Sequence, residues 1–267
     1  MANIQKLVIV GLGNMSGAML EGWMGAGQNP ARFAALGPRE KPTPDHVPFH
    51  TDPGAVSGHD AIMLGFKPYH LNDVAPTLQG IAGDGVTVYS LIAGITLDQL
   101  ESAFPKARAH VRVMPNLASR IGKSPIILAE ADLDAAERAA ATELFDALGQ
   151  SVWLEDELHY DLCTALAGSG PGFVYRFIDA LATAATELGL DQASANSLAL
   201  SMVEGGAALA ASSDLSPAEL ADRVASPGGM TREGLNVLDR DRTLHKLLVE
   251  TLRATRDRGA ELSAGSN

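Results

Sequence analysis

The sequence predicts a doubly wound α/β sheet domain at the N-terminus, followed by an all-α domain at the C-terminus. As far as residue 155, short apolar runs alternate with helical segments, which is the pattern of a sheet covered by helices on both faces. Beyond the acidic run Glu155–Glu157, nearly every segment has helical composition. We therefore predict two domains, residues 1–156 and residues 157–267.

Short apolar runs are the candidate strands of the first domain. The first of them, Ile4–Val10, ends in glycine and has the β-branched composition of a strand buried on both faces. The others are Phe33–Leu36, Ala61–Gly65, Val86–Ser90, Ala109–Val113, Pro125–Leu128 and Ser151–Leu154. Helices are predicted at Asn14–Ala26, Leu71–Leu78, Leu97–Ala103 and Leu133–Leu148, whereas the stretch between residues 37 and 60 is short and irregular.

The second domain consists of helical segments that turn residues separate. They are Tyr160–Leu188, Gln192–Ala211, Pro217–Ala225, Thr231–Leu238 and Thr243–Leu262. Several of these helices are apolar on more than one face, and a helix of that kind needs burial. In a domain of this size, the pattern indicates a partner subunit, so we expect an all-α dimerisation domain.

Composition excludes several classes of function. The 267 residues carry a formal net charge of −12, which repels phosphate backbones and makes a nucleic acid an unexpected partner. No stretch approaches the roughly 20 apolar residues that cross a bilayer, so no membrane partner is expected. The seven histidines are scattered without metal-ligand spacing. One cysteine, Cys163, and an N-terminus without signal-peptide features predict a cytoplasmic protein.

The segment Gly11–Ser16 (GLGNMS) is the first motif that carries chemistry. It follows the first strand and opens the first helix, as the GxGxxG fingerprint of Rossmann-type domains does. The first glycine permits the tight turn, and the second lets the backbone approach a pyrophosphate at the helix N-terminus. We predict that a dinucleotide binds Gly11, Leu12, Gly13, Asn14 and Met15; a purely structural glycine turn is the alternative.

The loops that follow the other strands are expected to line the rest of the cofactor crevice. Arg39 and Lys41, after the second strand, suit a 2′-phosphate, so the cofactor is NADP with NADPH favoured and NADH left open. A solvated charged turn is the alternative there. The nicotinamide is expected beside the later strand ends, which supply Phe66, Lys67, Pro68, Ala93 and Asn116.

The sequence also resembles the pyrroline-5-carboxylate reductase family, in segments spread over essentially the whole chain. They are GLGNM at 11–15, FKP at 66–68, SLIAGITLDQL at 90–100, RVMPN at 112–116, AGSGPGFVYRFIDAL at 167–181 and SPGGMT at 226–231. The resemblance implies NAD(P)H-dependent reduction of the cyclic imine 1-pyrroline-5-carboxylate to L-proline. It also implies a helical domain that interlocks in a homodimer, and dimers that often assemble further into decamers.

This chain departs from the family pattern at a few positions. Ser16 stands in place of the third glycine of the fingerprint, and Met230 interrupts the SPGG–Thr element. Leu117-Ala118, Gly172-Phe173 and His50-Thr51 also differ from the residues that the family usually has.

The candidate substrate site lies in the second domain. By resemblance and position, Thr231 is the candidate catalytic residue, and its hydroxyl would orient the ring nitrogen or relay a proton to it. The alternative is a structural role for Thr231 at the N-terminus of a helix. Gly228 and Gly229 precede a helix, so their N–H groups suit the substrate carboxylate, with Ser226 adding a hydroxyl. The resemblance adds Glu157 as a substrate-binding residue, against the alternative of a solvated helix turn.

Two other functions remain open from the sequence. One is a related imine reductase or a β-hydroxyacid dehydrogenase-like enzyme, although the lysine that hydroxyacid chemistry requires is missing between residues 156 and 245. The other is a non-catalytic NADP-binding relative, in which damage to the SPGG–Thr element would be expected.

Overall fold

A computed structural model describes residues 4–264, which divide into two compact units. One unit is Gly170–Ala254, and the other is the remainder of the described chain. The boundary between residues 156 and 157, at which the composition of the sequence changes, stays a prediction.

The first unit contains an eight-stranded sheet in the order β3-β2-β1-β4-β5-β6-β7-β8. The strands are β1 (Leu7–Val10), β2 (Phe33–Leu36), β3 (Phe49–His50), β4 (Ala61–Leu64), β5 (Thr87–Ser90), β6 (Ala109–Met114), β7 (Ser124–Ala131) and β8 (Gly149–Trp153). The crossovers on both sides of β1 make this a doubly wound, Rossmann-type sheet, as predicted. The irregular stretch between residues 37 and 60 contains β3, a two-residue strand too short to leave a periodic signal.

Two apolar layers cover the sheet. Helices α1 (Asn14–Gly25) and α4 (Ala135–Asp146) pack on one face, and α2 (Leu71–Leu78) and α3 (Leu97–Ala103) pack on the other. Every residue of β1, β2, β4 and β5 is buried, because both faces of these strands are covered. The sequence pattern predicted these buried strands correctly.

One strand pair departs from the parallel arrangement. Strand β7 runs antiparallel to β6, with Met114 opposite Ile127, whereas every other neighbouring pair is parallel. The connection between them includes a 3-10 helix, Leu117–Ile121. A Cβ atom at Gly22 of α1 would lie 2.1 Å from the carbonyl oxygen of Ser119, so α1 and this 3-10 helix are in backbone contact.

The C-terminal part is helical, as predicted. After α5 (Tyr160–Cys163) come a π-helical turn (Thr164–Gly168) and the helices α6 (Gly170–Glu187), α7 (Gln192–Ala211), α8 (Pro217–Val224), α9 (Met230–Asp239) and α10 (Thr243–Ala264). The helical segment predicted over Tyr160–Leu188 is interrupted at this turn, next to the run of glycine and proline at 168–171 that breaks the helical pattern of the sequence. Ser169 donates its N–H to the carbonyl of Thr164, five residues back, which is the widened turn of a π-helix.

Candidate active site

The predicted cofactor loops lie along one edge of the sheet because the parallel strands end there together. A ladder of backbone hydrogen bonds connects them: the N–H of Gly37 donates to His50, Gly11 to Leu36, Gly65 to Val10, and Leu91 to Leu64, over 2.8–3.1 Å. These bonds continue the register of β3, β2, β1, β4 and β5 past the strand ends. The fingerprint loop, the loop that carries Phe66 and the loop that carries Ala93 therefore lie side by side.

The fingerprint loop has the backbone that its glycines predict. Gly11 has φ +91°, and a Cβ there would lie 3.1 Å from the carbonyl of Gly65, so only glycine fits. Gly13 is the N-cap of α1, and within the described chain no side chain caps this helix end. Gly13 and Asn14 are exposed, which leaves the positive end of the helix open to an anion.

Ser16, in place of the third fingerprint glycine, packs against the neighbouring loop. It is 1% exposed, and a Cβ on Gly65 would lie 2.0 Å from its hydroxyl oxygen. Glycine at 65 therefore makes the room that glycine at 16 usually provides. The hydroxyl of Ser16 has no hydrogen-bond partner among the described residues, so the contact is one of packing.

Basic residues follow β2, as predicted. Arg39 is exposed, and the ammonium group of Lys41 donates a hydrogen bond of 2.7 Å to the carbonyl oxygen of Leu12. This bond fixes a positive charge beside the fingerprint loop. The sequence indicated the charge of Lys41 but not this contact.

The residues predicted on the nicotinamide side differ in their exposure to solvent. Lys67 and Ala93 are exposed, while Phe66 is half-buried against the apolar layer of α2 and α3. Pro68 begins a 3-10 turn that leads into α2. Gly94, the residue after Ala93, has φ +75°.

Asn116 has a structural role that its sequence position did not indicate. Its side chain is buried, donates 2.9 Å to the carbonyl of Ala167 and accepts 2.8 Å from the N–H of Ala118. Its own N–H donates to the hydroxyl of Ser124. Asn116 thus joins the end of β6 to the π-helical turn, and its contact with a cofactor stays a prediction.

Glu157 is held by a buried arginine. Its Oε1 atom lies 2.6 Å from Nη1 of Arg112 in β6 and also accepts the N–H of Leu97 over 3.1 Å. The Arg112 guanidinium lies 3.6 Å from the centre of the Tyr160 ring. Arg112 was not predicted as part of the candidate site, although a charged residue inside the apolar run AHVRVM was a usable signal.

The other predicted substrate residues lie in the second unit, on one turn. The N–H of Gly229 donates 2.9 Å to the carbonyl of Ser226, and Gly228 has φ +72°. Gly229 is the N-cap of α9, again without a capping side chain in the described part of the chain. Ser226, Gly228 and Thr231 are exposed.

An ion pair stabilises this turn. The Arg232 guanidinium lies 2.7 Å from the Asp222 carboxylate of α8 and 3.4 Å from the carbonyl of Ala225. The turn therefore presents the N–H of Gly228 and two hydroxyls next to a helix N-terminus, a set that can bind a carboxylate and contact a ring nitrogen.

Two further features of the described residues concern other classes of site. No helix in residues 4–264 is long and apolar enough to cross a membrane. Over the same residues, no group of three or more His, Cys, Asp and Glu side chains is placed to hold a metal ion.

Comparisons of the sequence identify its relatives. Residues 157–262 match the family profile described as pyrroline-5-carboxylate reductase dimerisation. The chain is 31% identical to the pyrroline-5-carboxylate reductase of Pseudomonas aeruginosa, over 97% of both chains. It is 30% identical to pyrroline-5-carboxylate reductase 2 of Bacillus subtilis, over 97% of this chain and 95% of that one.

Solved structures have the same fold. A pyrroline-5-carboxylate reductase from Coxiella burnetii superposes with a TM-score of 0.90 at 28% identity, covering 98% of this chain and 99% of that chain. The pyrroline carboxylate reductase of Plasmodium falciparum, solved with NADP bound, gives a TM-score of 0.84 at 24% identity, with the same coverage.

Proposed function

Because the chain belongs to the pyrroline-5-carboxylate reductase family, we propose that it reduces 1-pyrroline-5-carboxylate to L-proline with NAD(P)H, in proline biosynthesis. The observation that carries this proposal is the 31% identity, over 97% of both chains, to a protein named for that reaction. The two glycine loops described above supply the groups that the reaction needs.

The fingerprint loop fits a dinucleotide. Gly11 excludes a side chain where the backbones of two loops meet, and the uncapped start of α1 offers N–H groups to a pyrophosphate. We assign this role to Gly11, Leu12, Gly13, Asn14 and Met15. Arg39, together with the ammonium group of Lys41 that lies on Leu12, favours a 2′-phosphate and hence NADPH, with NADH as the second cofactor.

Phe66, Lys67, Pro68, Ala93 and Asn116 are assigned to the nicotinamide side, because they belong to the later strand ends of the same edge. When bound, the reduced cofactor supplies the hydride that forms the new C–H bond at the imine carbon. The imine nitrogen takes up a proton, so the products are the secondary amine and the oxidised cofactor.

The SPGG–Thr turn is assigned to the substrate. The N–H of Gly228 and the hydroxyl of Ser226 bind its carboxylate. Gly229, whose N–H closes the turn onto the carbonyl of Ser226, is assigned to the same site. The hydroxyl of Thr231 donates to the ring nitrogen and orients it. Glu157 is assigned near the protonated nitrogen by resemblance.

An absorbance assay of NADPH oxidation tests the proposal, with 1-pyrroline-5-carboxylate as substrate and NADH in a parallel reaction. We expect turnover with both cofactors and a higher kcat/KM with NADPH. Oxidation of a β-hydroxyacid by NADP+, without imine reduction, would favour the hydroxyacid dehydrogenase alternative. NADPH binding without any turnover would favour the non-catalytic relative.

We also propose that the chain forms a homodimer through its helical part. Helices α6 and α7 bury only Ala182, Ala195 and Ala199, whereas they expose many large apolar side chains. Among the latter are Val174, Tyr175, Phe177, Leu198, Leu200 and Met202, each at least 45% exposed. Exposed apolar area on this scale favours a partner subunit, and light scattering after size-exclusion chromatography would separate a monomer, a dimer and a decamer.

We place the reaction in the cytoplasm, since the single cysteine cannot form an intrachain disulfide. The net charge of −12 gives no reason to expect a nucleic-acid partner, and no membrane partner is proposed. Fractionation of cells that express the tagged chain would test the location.

A further inference from the structure

We propose that the ion pair between Arg112 and Glu157 is a positioning element for the loop Leu91–Thr96, and that Glu157 acts on cofactor binding through the N–H of Leu97. This inference rests on the proposed function, because it concerns the loop assigned to the nicotinamide side. It gives Glu157 a role that needs no contact with the substrate.

One carboxylate oxygen connects two elements. Oε1 of Glu157 lies 2.6 Å from Nη1 of Arg112 in β6 and 3.1 Å from the N–H of Leu97. Leu97 is the first residue of α3, where the helix itself provides no partner for the N–H group. The carboxylate therefore ties the start of α3 to β6.

The arginine is fixed from its other side. The Tyr160 ring lies 3.6 Å below the guanidinium, and the Arg112 side chain is only 6% exposed. Tyr160 shares an apolar cluster with Leu97 and Met114. A charge in such a site is costly unless it is paired, so the ion pair holds Glu157 in one place.

The loop Leu91–Thr96 is anchored at both ends. At its start, the N–H of Leu91 donates 2.9 Å to the carbonyl of Leu64 in β4. At its end, Thr96 caps α3 in a capping box with Gln99, and the next residue donates to Glu157. Ala93 lies exposed between these anchors. A change at the second anchor would therefore shift the backbone that faces the nicotinamide.

A proline substitution isolates the key hydrogen bond. Leu97→Pro removes the N–H that donates to Glu157, at the first helical position, where proline is tolerated. Thr96 is extended, with φ −81° and ψ 167°, which suits a residue before proline. Leu97→Ala is the matched control, since it removes the same apolar side chain but keeps the N–H group.

The measurement is the dissociation constant of NADPH, from fluorescence titration of the full chain without the imine. We expect Leu97→Pro to bind NADPH about tenfold more weakly than Leu97→Ala, because a hydrogen bond to a charged acceptor is lost. We expect a similar loss for Glu157→Gln and for Arg112→Gln, and no further loss in the double variant. Glu21→Gln, in an exposed ion pair with Arg120, should bind NADPH as the wild type does.

Several outcomes would overturn the proposal. Equal NADPH affinity of Leu97→Pro and Leu97→Ala would overturn it. A rise in the imine KM of Glu157→Gln with unchanged NADPH affinity would also overturn it, because that result would assign Glu157 to the substrate. Thermal unfolding of each variant identifies any variant that is unfolded at the assay temperature. If the variants of the buried ion pair are unfolded, the comparison of Leu97→Pro with Leu97→Ala still tests the proposal, because both keep that ion pair. A failure of the proposed function would appear in the wild type, as absence of imine reduction.

Discussion

The two glycine loops of this protein precede a helix in the same way but are held in different ways. Gly11, in the fingerprint loop, is confined by the backbone of the neighbouring loop, 3.1 Å from where a Cβ would lie. Around Gly228, in the SPGG–Thr turn, no described atom other than those of Gly228 and its two chain neighbours lies within 4 Å of a Cβ position. The first loop is therefore shaped by the sheet, and the second by its own turn and the Arg232–Asp222 ion pair.

The two loops are therefore sensitive to different kinds of substitution. In the fingerprint loop, a substitution on the adjacent strand end should disturb ligand binding although it touches no ligand. In the SPGG–Thr turn, the side-chain chemistry and the local backbone should matter more than the surroundings. Four substitutions test the contrast.

The largest effect is expected for Thr231→Ala in the second loop. Loss of a hydroxyl that positions the ring nitrogen should lower kcat about 100-fold or more. Thr231→Ser keeps the hydroxyl and should retain most of the activity. Steady-state kinetics with 1-pyrroline-5-carboxylate, together with an unchanged dissociation constant for NADPH, would check this; full activity in Thr231→Ala would remove the role of the hydroxyl.

The next largest effect is expected for Gly65→Ala beside the first loop. The new Cβ would lie 2.0 Å from the Ser16 hydroxyl and 2.7 Å from the carbonyl oxygen of Gly11. The fingerprint loop must shift by the order of 1 Å, which should weaken NADPH binding by about 100-fold. Gly17→Ala in α1, which has open space around it within the described structure, is the control and should bind NADPH normally. Similar affinities for the two variants would contradict the packing argument.

A smaller effect is expected for Gly228→Ala. At φ +72° an alanine is strained by about 1 kcal/mol, although no steric contact opposes it in residues 4–264. We expect the imine KM to rise about fivefold if the strain is relieved by a shift of the turn. Gly27→Ala has φ +75° and equally open surroundings, so it should lose similar stability without any change in KM. Equal KM values in both variants would show that the turn does not hold the substrate.

The smallest effect is expected for Met230→Ala. Met230 is 94% exposed in the chain, so its removal should change the free energy of unfolding by less than about 0.5 kcal/mol. We expect kcat/KM to stay within about threefold of the wild type, because the hydroxyl and the N–H groups remain. A much larger loss would mean that this departure from the family pattern shapes the substrate site.

The sequence predicted the fold more completely than the site. Buried parallel strands are continuous apolar runs, so strand Phe33–Leu36 has the predicted bounds. The helices Leu71–Leu78 and Leu97–Ala103 also have the predicted bounds. The antiparallel direction of β7 could not be predicted, because an apolar run does not indicate which way a strand runs. The π-helical turn at Thr164–Gly168 has the composition of an ordinary helix, and it too was missed.

For the candidate site, the sequence indicated the segments in which residue type alone carries the chemistry, and the roles of their residues stay predictions. Glycines before a helix indicated both loops, and the basic residues after β2 indicated the phosphate side. The Arg112–Glu157 pair was missed because its partners are 45 residues apart and meet only when β6 and the start of the helical part come together. For the same reason, the sequence did not indicate the bond from Lys41 to Leu12.

The backbone contact between Gly22 and Ser119 has a consequence for loop grafting. Helix α1 begins at the fingerprint, and the segment Leu117–Ile121 follows Asn116. A Cβ at Gly22 would lie only 2.1 Å from the carbonyl oxygen of Ser119, so the close approach of these two backbones fixes the distance between two loops that are far apart in the chain. A fingerprint transplanted from another Rossmann-type enzyme would bring its own first helix, and a side chain at the position of Gly22 in that helix would not fit against Ser119. The exchangeable piece is therefore the pair of segments together, with glycine retained at position 22.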